Sequence, residues 1–226
     1  MVPVGLEFRF PLVRPPSCHH ESVSIAATPK GERRRQALVE AAADLILEGG
    51  IDAVRHRAVA TRAGLPLAST TYYFASLDDL VACAVDYNSE RELDAMRARV
   101  RDIQQLPRSL EGTADLIVDL LIGPREDDGG IDRERLISRY ERCVATARYP
   151  ELHDVQVRMR EQIDDLLTDL LERCCRSVRP REVRRLVAVV DGAVLGGLGE
   201  FDPDPRSLAR GILLDVVETV APPAEE

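Results

Sequence analysis

Residues 63–74 read AGLPLASTTYYF: a glycine and a proline, then small hydroxylated residues and two tyrosines, with no charged side chain among them. Just upstream, Ala58, Val59 and Ala63 fall on one side of a short helix over 55–63 that Gly64 ends. Pro66 can start a second helix, over 66–73, which Phe74 closes. Two short helices about a tight turn at Gly64-Leu65 are the layout of a helix-turn-helix, and glycine suits the turn because it accepts a positive φ without steric cost. In that layout the second helix enters the DNA major groove. Ser and Thr there reach base edges or phosphates, Ala and Thr methyls meet a thymine methyl, and small side chains let the backbone come close. Tyrosine hydroxyls at the helix end suit phosphates, which position a protein without specifying sequence. The same dozen residues would also fit a small helical hairpin packed for stability, with Tyr72 and Tyr73 as partly buried aromatics.

Working outward, Thr28-Pro29 offers a cap and a first-turn proline. Ala37, Leu38, Ala41, Ala42, Leu45 and Ile46 then recur at helical spacing until Gly49-Gly50, which predicts a helix over 29–48. Ser76-Leu77-Asp78-Asp79 reads as a capping box opening a long helix to about Gln104. Prolines at 107, 124, 150 and 180 fall at or just before new apolar-periodic runs, where a first-turn proline is tolerated. Further helices are therefore expected near 108–122, 132–147, 150–176, 180–199 and 206–220. With no strand-type alternation, the fold class is all-α with about nine helices.

The 226 residues are 45% apolar, ample for a packed core, and carry a net charge of -9 with a pI near 5.1. That balance argues against a general nucleic-acid-coating role. Its distribution says more: residues 30–76 hold Lys30, Arg33, Arg34, Arg35, Arg55, Arg57 and Arg62 against Glu32, Glu40, Asp44, Glu48 and Asp52, while the chain from 77 onward is strongly acidic. A locally positive module is joined to a negative body. The division expected is a disordered leader over 1–28, a helix-turn-helix domain over 29–76, a larger helical domain over 77–221, and a disordered tail over 222–226.

Cysteines 18, 83, 143, 174 and 175 form no CxxC and no even-numbered framework, so reduced thiols are expected, with no metal and no cofactor. Cys18-His19-His20 reads as an incidental polar tail because no further ligands sit nearby. No signal-peptide run or membrane-spanning stretch is present, so a cytoplasmic protein with no membrane partner is expected.

The run RRRQALVEAAADLILEGG followed by IDAVRHRAVATRAGLPLASTTYYFASLDDLVACAV, over residues 33–85, resembles the tetracycline-repressor (TetR) family of bacterial transcriptional regulators. Gly50, Val59-Ala60, Ala63-Gly64, Tyr72-Tyr73-Phe74 and Leu80 at these spacings carry the likeness. Four positions depart from the family's pattern. Arg55 stands where Ser or Thr commonly caps the second helix, Leu67 where Lys is common in the turn, Thr71 at a common Tyr, and Leu77 at a usual Lys. The resemblance implies an operator-binding homodimer, with Ala68, Ser69, Thr70 and Tyr72 facing bases and Arg55, Thr71 and Tyr73 facing the backbone. Arg57 and Leu67 complete the expected DNA-contacting set.

The resemblance further implies dimerisation through the last two helices. Val187, Val190, Val194, Leu195 and Leu198 on one, with Ile212, Leu213 and Val216 on the other, form stripes that taken alone are more often intramolecular core than interface, and it is the resemblance that reads them as a dimer seam. A ligand pocket within the body is implied too, and Tyr140, Cys143, Met159, Gln162 and Asp191 are its polar or polarisable candidates, each of which also fits an ordinary partly buried residue. The acidic body predicts a neutral or cationic hydrophobic effector, unless Arg139, Arg142 or Arg158 turns inward. An enzyme is not expected: Cys174-Cys175 and Asp164-Asp165 are neighbours pointing about 100° apart on a helix, and no histidine or metal set accompanies them. The reading is a regulator, a repressor released from its operator by a small hydrophobic effector. The alternative is a helical small-molecule-binding protein without specific DNA recognition.

Overall fold

A computed structural model describes residues 28–103, 109–123 and 133–224. The leader expected over 1–28, with Cys18-His19-His20, lies outside the described residues except for Thr28, as do the prolines at 107 and 124. Helix α1, Pro29–Gly49, begins where the Thr28 hydroxyl accepts from Gly31 N at 3.1 Å. It ends at Gly50, whose φ of 69° with ψ of -176° is a backbone conformation that glycine adopts without steric cost. One 3₁₀ turn, Ile51–Ala53, leads to α2, His56–Arg62. The turn that follows is built on Gly64, φ 64°, and α3 spans Ala68–Tyr73. This second helix starts two residues later than Pro66 suggested, because the first turn runs through i+3 bonds, Ser69 N to Pro66 O and Thr70 N to Leu67 O.

Helix α4, Leu77–Asp102, opens with the expected reciprocal cap, shifted by one residue. Ser76 Oγ accepts from Asp79 N, but Asp79 Oδ2 accepts from Ala75 N rather than from the cap residue's own amide. The body continues with α5, Leu110–Ile122; α6, Arg133–Ala145; α7, His153–Arg173; α8, Pro180–Gly199; and α9, Pro205–Val220. Helix α7 is shorter at both ends than 150–176. Pro150–Leu152 forms a separate 3₁₀ turn, and after Arg173 the chain turns at Cys175, whose φ is 57°.

Two apolar cores result. One joins α1, α2 and the first half of α4 around Leu38, Ala42, Ile46, Val59, Phe74, Leu80 and Ala84, closed from the body side by Leu152 and Val155. The other fills the body between Leu93, Met96, Ile117, Leu121, Leu167, Leu170, Leu186 and Val190. Helix α4 therefore belongs to both, its early residues in the head core and Leu93, Met96 and Val100 in the body core. Helix α4 is thus the packed link between head and body.

Residues 222–224, placed by the sequence in a free tail, are instead tied down. Ser177 N donates to Pro222 O at 2.9 Å and Ala224 N to Cys175 O at 2.8 Å, so the stretch after α9 both accepts from and donates to the α7–α8 link. Buried Arg176 adds a bond from its guanidinium to Ala221 O. No described helix is long and apolar enough to cross a membrane.

Candidate functional site

In the head, α2 and α3 meet around the Gly64 turn, where Leu65 N reaches back to Ala60 O at 3.0 Å. Leu67 and Tyr72 are 50% and 57% exposed, Ala68 and Thr71 are exposed, and Ser69 and Tyr73 are half-buried. The Tyr72 and Tyr73 rings meet edge to face, 4.9 Å between centroids. Thr70 is different. It is fully buried, and its hydroxyl donates to Leu67 O at 2.8 Å and lies 2.9 Å from His56 Nδ1. Since the hydroxyl has one proton, already given to Leu67 O, the imidazole Nδ1 carries the hydrogen of the second bond. The structure thus corrects the base-facing expectation for Thr70: it latches α3 to the start of α2.

Arg55 and Arg57 are exposed at the start of α2, where the Arg55 cap position supplies no side-chain bond to the helix amides. Arg55 donates to Val54 O at 3.0 Å, and Arg62 and Arg35 are engaged away from α3. Arg62 makes a two-pronged pair with Glu48 at 2.6 and 2.8 Å, raising the guanidinium and lowering the carboxyl through that hydrogen bond. Arg35 lies 5.1 Å over the Phe74 ring and donates to Cys83 Sγ.

In the body, Tyr140, Cys143, Met159 and Asp191 line one small cavity of about 40 Å³, together with Val85, Ser89 and Ile163. Gln162 is not among its lining and accepts from Arg97 instead. Tyr140 Oη donates to Asp191 Oδ1 at 3.1 Å; burial and then the Asp191 charge push the phenol well above its ordinary range, so it stays a donor.

Arg139 and Arg142 do turn inward, which overturns the premise of a body poor in interior basic groups. Glu92 of α4, its side chain only 10% exposed, sits 3.2 Å from Arg139 and 3.0 Å from Arg142 of α6. Arg158, by contrast, is held outside by Asp86 at 2.8 Å. Burial opposes the Arg139 charge, yet Glu92 and Asp191 outweigh it and hold that guanidinium above its usual value. Burial lowers Arg142, with Glu92 opposing and the like charge of Arg139 reinforcing the effect.

Two larger clefts flank this clamp. One, about 590 Å³, lies between the end of α1 at Gly49-Gly50 and the face of α6 carrying Ile137, Tyr140 and Glu141, with Leu195 and Leu198 of α8. The other, about 410 Å³, lies between α4, the end of α5 and α6. Arg142 lines both, and the small cavity as well.

On α8 and α9 the structure divides the expected dimer stripe. Val187, Val190, Val194 and Leu213 are at most 1% exposed within the single chain, and Leu198 is 9% exposed. These residues are core of their own subunit, a correction that follows from two helices packing against each other and against α5. Leu195 at 53% and Ile212 at 39% point outward, Val216 is half-buried, and a Cβ added at Gly192, Gly196 or Gly211 would meet nothing.

Sequence reading missed His56 and Glu92, while of the three arginines it named as able to turn inward, Arg139 and Arg142 do so. Spacing held a trace of them: Ser89, Glu92 and Met96 share a face of α4, as Leu136, Arg139 and Cys143 do on α6.

A profile of the tetracyclin repressor-like, C-terminal domain matches residues 108–219. The HTH-type transcriptional regulator PksA of Bacillus subtilis (strain 168) is 26% identical over 195 residues, 84% of this chain and 90% of PksA. The multidrug binding protein EbrR complexed with proflavin superposes with a TM-score of 0.61 at 31% identity, over 80% of this chain and 98% of EbrR. EbrR complexed with ethidium gives 0.60 at 31%. A member of the TetR family from Streptomyces coelicolor A3 gives 0.58 at 31% identity, over 80% of this chain and 96% of that one.

Proposed function

We propose, from the premise that the chain belongs to the TetR family of transcriptional regulators, that it is a homodimeric repressor released from its operator by a small hydrophobic effector. The observation that carries the reading is the outward face of α3. Leu67, Ala68, Thr71 and Tyr72 stand exposed on a helix latched by Thr70 and set by the Gly64 turn. Ala68, Ser69 and Tyr72 read base edges, while Arg55, Arg57, Thr71 and Tyr73 hold phosphates.

Leu195, Ile212 and Val216, beside the open glycines of α8 and α9, form the subunit contact. A two-fold dimer so built presents two reading helices to successive major grooves, about one helical turn apart. The effector site is the region around the Glu92 clamp, where the small cavity lined by Tyr140, Cys143, Met159 and Asp191 and the two larger clefts all border Arg142. That EbrR is a multidrug binding protein, solved with proflavin and with ethidium, supports a hydrophobic small molecule as the effector class. A ligand that moves α6 against α4 shifts the head through their shared cores, and a coupling of about 1–3 kcal/mol is enough to change operator occupancy.

The test is nuclease protection of DNA from around the protein's own gene. Two protected half-sites about one turn apart are expected. Uniform protection without half-sites would instead favour the ligand-binding alternative that lacks specific DNA recognition.

A further inference from the structure

The 410 Å³ cleft between α4, the end of α5 and α6 has a composition that the function so far does not use. Its lining includes Arg91, Arg135, Arg139 and Arg142 against Glu92 and Glu134, with Leu47, Ala95, Ile122 and Leu136 as apolar wall. The volume falls within the roughly 300–1,000 Å³ typical of ligand sites. Inside it two guanidiniums share one carboxylate: Arg139 and Arg142 both pair with Glu92, and all three side chains are at most 14% exposed. Arg139 spends another donor on the Leu121 carbonyl and Arg142 one on Ser138 Oγ, yet each guanidinium has five donors. At the desolvated part of this wall two guanidiniums therefore meet one carboxylate, with the Asp191 charge reaching Arg139 from outside the cleft.

We propose that this cleft binds the oxyanion group of an amphipathic ligand, a carboxylate or a phosphate ester on an apolar tail, at Arg139 and Arg142, with Glu92 occupying that position in the unliganded protein. The tail lies along Leu47, Ala95, Ile122 and Leu136. The ligand's charge replaces that of Glu92 on α6, so binding frees α4 from its polar tie to α6. Because the cleft borders neither Leu195 nor Ile212, it stays open in the dimer proposed above. The inference deepens the effector reading and rests on it only for the consequence at DNA. It also reverses the charge preference that the acidic composition suggested, since the net acidity of the body does not reach this wall.

The experiment is calorimetric titration of the full chain with four probes of one chain length: octanoate, octyl phosphate, 1-octanol and octyltrimethylammonium. One or both anions are expected to bind at least ~10-fold more tightly than the alcohol or the cation, as charge-assisted, two-pronged arginine contacts require. The two anions between them report which oxyanion is preferred. Arg142→Met lowers anion affinity at least ~10-fold, whereas Glu92→Gln, which removes the resident carboxylate, raises it. Should Arg142→Met fail to fold, Arg139→Lys supplies the loss and Glu92→Gln still supplies the gain, an opposite-signed effect that a purely structural role would not produce. Saturable binding of the alcohol or the cation as tight as that of both anions, binding of none of the four, or a Glu92→Gln protein without gain overturns the proposal. Retardation of operator DNA without probe is measured alongside. Its loss counts against the regulator reading and leaves the anion result to stand by itself.

Discussion

The head and the body of this molecule solve opposite problems with charge. In the head the side chains that face outward on α3 are uncharged, and the guanidiniums stand around them, exposed at Arg55 and Arg57 or engaged at Arg35 and Arg62. In the body the charges go inside, where Glu92, Arg139 and Arg142 tie α4 to α6 beneath a shell that is acidic overall. A surface that must match DNA keeps its long-range attraction apart from its short-range fit. Under the proposed function, an interior that changes state when a ligand arrives holds charges whose partners can be exchanged. Buried ion pairs of this kind add little net stability, but breaking one by removing a single partner is costly.

The comparison breaks most visibly at the subunit contact. Leu195→Glu combined with Ile212→Glu places two charges in the proposed seam, and a loss of several kcal/mol of association is expected, with monomer seen in sedimentation. A folded variant that sediments as a dimer would move the interface off α8 and α9.

Next in size, Arg142→Ala leaves Glu92 with Arg139 as its remaining partner and should destabilise the body by about 1.5–3 kcal/mol in denaturant unfolding. An unchanged midpoint would mean that the clamp is not formed in solution.

Within the head, Thr70→Val and Tyr72→Ala sharpen the contrast between latch and reader. Thr70→Val removes both hydroxyl bonds and strands the His56 donor, costing about 1–3 kcal/mol of stability. Tyr72→Ala should leave unfolding nearly unchanged while weakening specific DNA binding by about 1–3 kcal/mol. The two effects exchanged, with Tyr72 setting stability and Thr70 only affinity, would reverse the assignment of the two faces of α3.

Arg57→Ala is the smallest change. Binding to every DNA sequence should weaken alike, and the slope of log affinity against log salt should become shallower by about one. A loss confined to one sequence would make Arg57 a base reader.

How much of this was legible beforehand follows the same divide. The helix boundaries were written in local chemistry: Thr28 and Ser76 as caps, Gly50 and Gly64 as positive-φ stops, prolines in first turns. Each acts within four residues of itself. The latch was not legible, because Thr70 reads like its neighbours Ser69 and Thr71 until the rotation of α3 about its axis is known, and His56 meets it from another helix. The clamp was further out of reach. Glu92 and the two arginines are separated by about fifty residues, and each taken singly looks like a solvated charge on an amphipathic helix. On α8 and α9 the apolar stripe was visible, but two neighbouring helices with apolar residues on more than one face do not say which face turns to the other. Burial assigns Val190 and Leu213 to the subunit's own core and leaves Leu195 and Ile212 outside.

The central claim, that an uncharged α3 reads a specific DNA sequence while arginines around it hold the backbone, is tested most directly by a mobility-shift titration. DNA from around the protein's own gene and a shuffled duplex of equal composition would be compared at low and moderate salt, with the wild type and with Tyr72→Ala. The wild type is expected to prefer its own DNA by ~10³-fold or more at moderate salt, and Tyr72→Ala to narrow this preference while its salt slope stays unchanged. Equal retention of both duplexes by the wild type, falling together as salt rises, would contradict it.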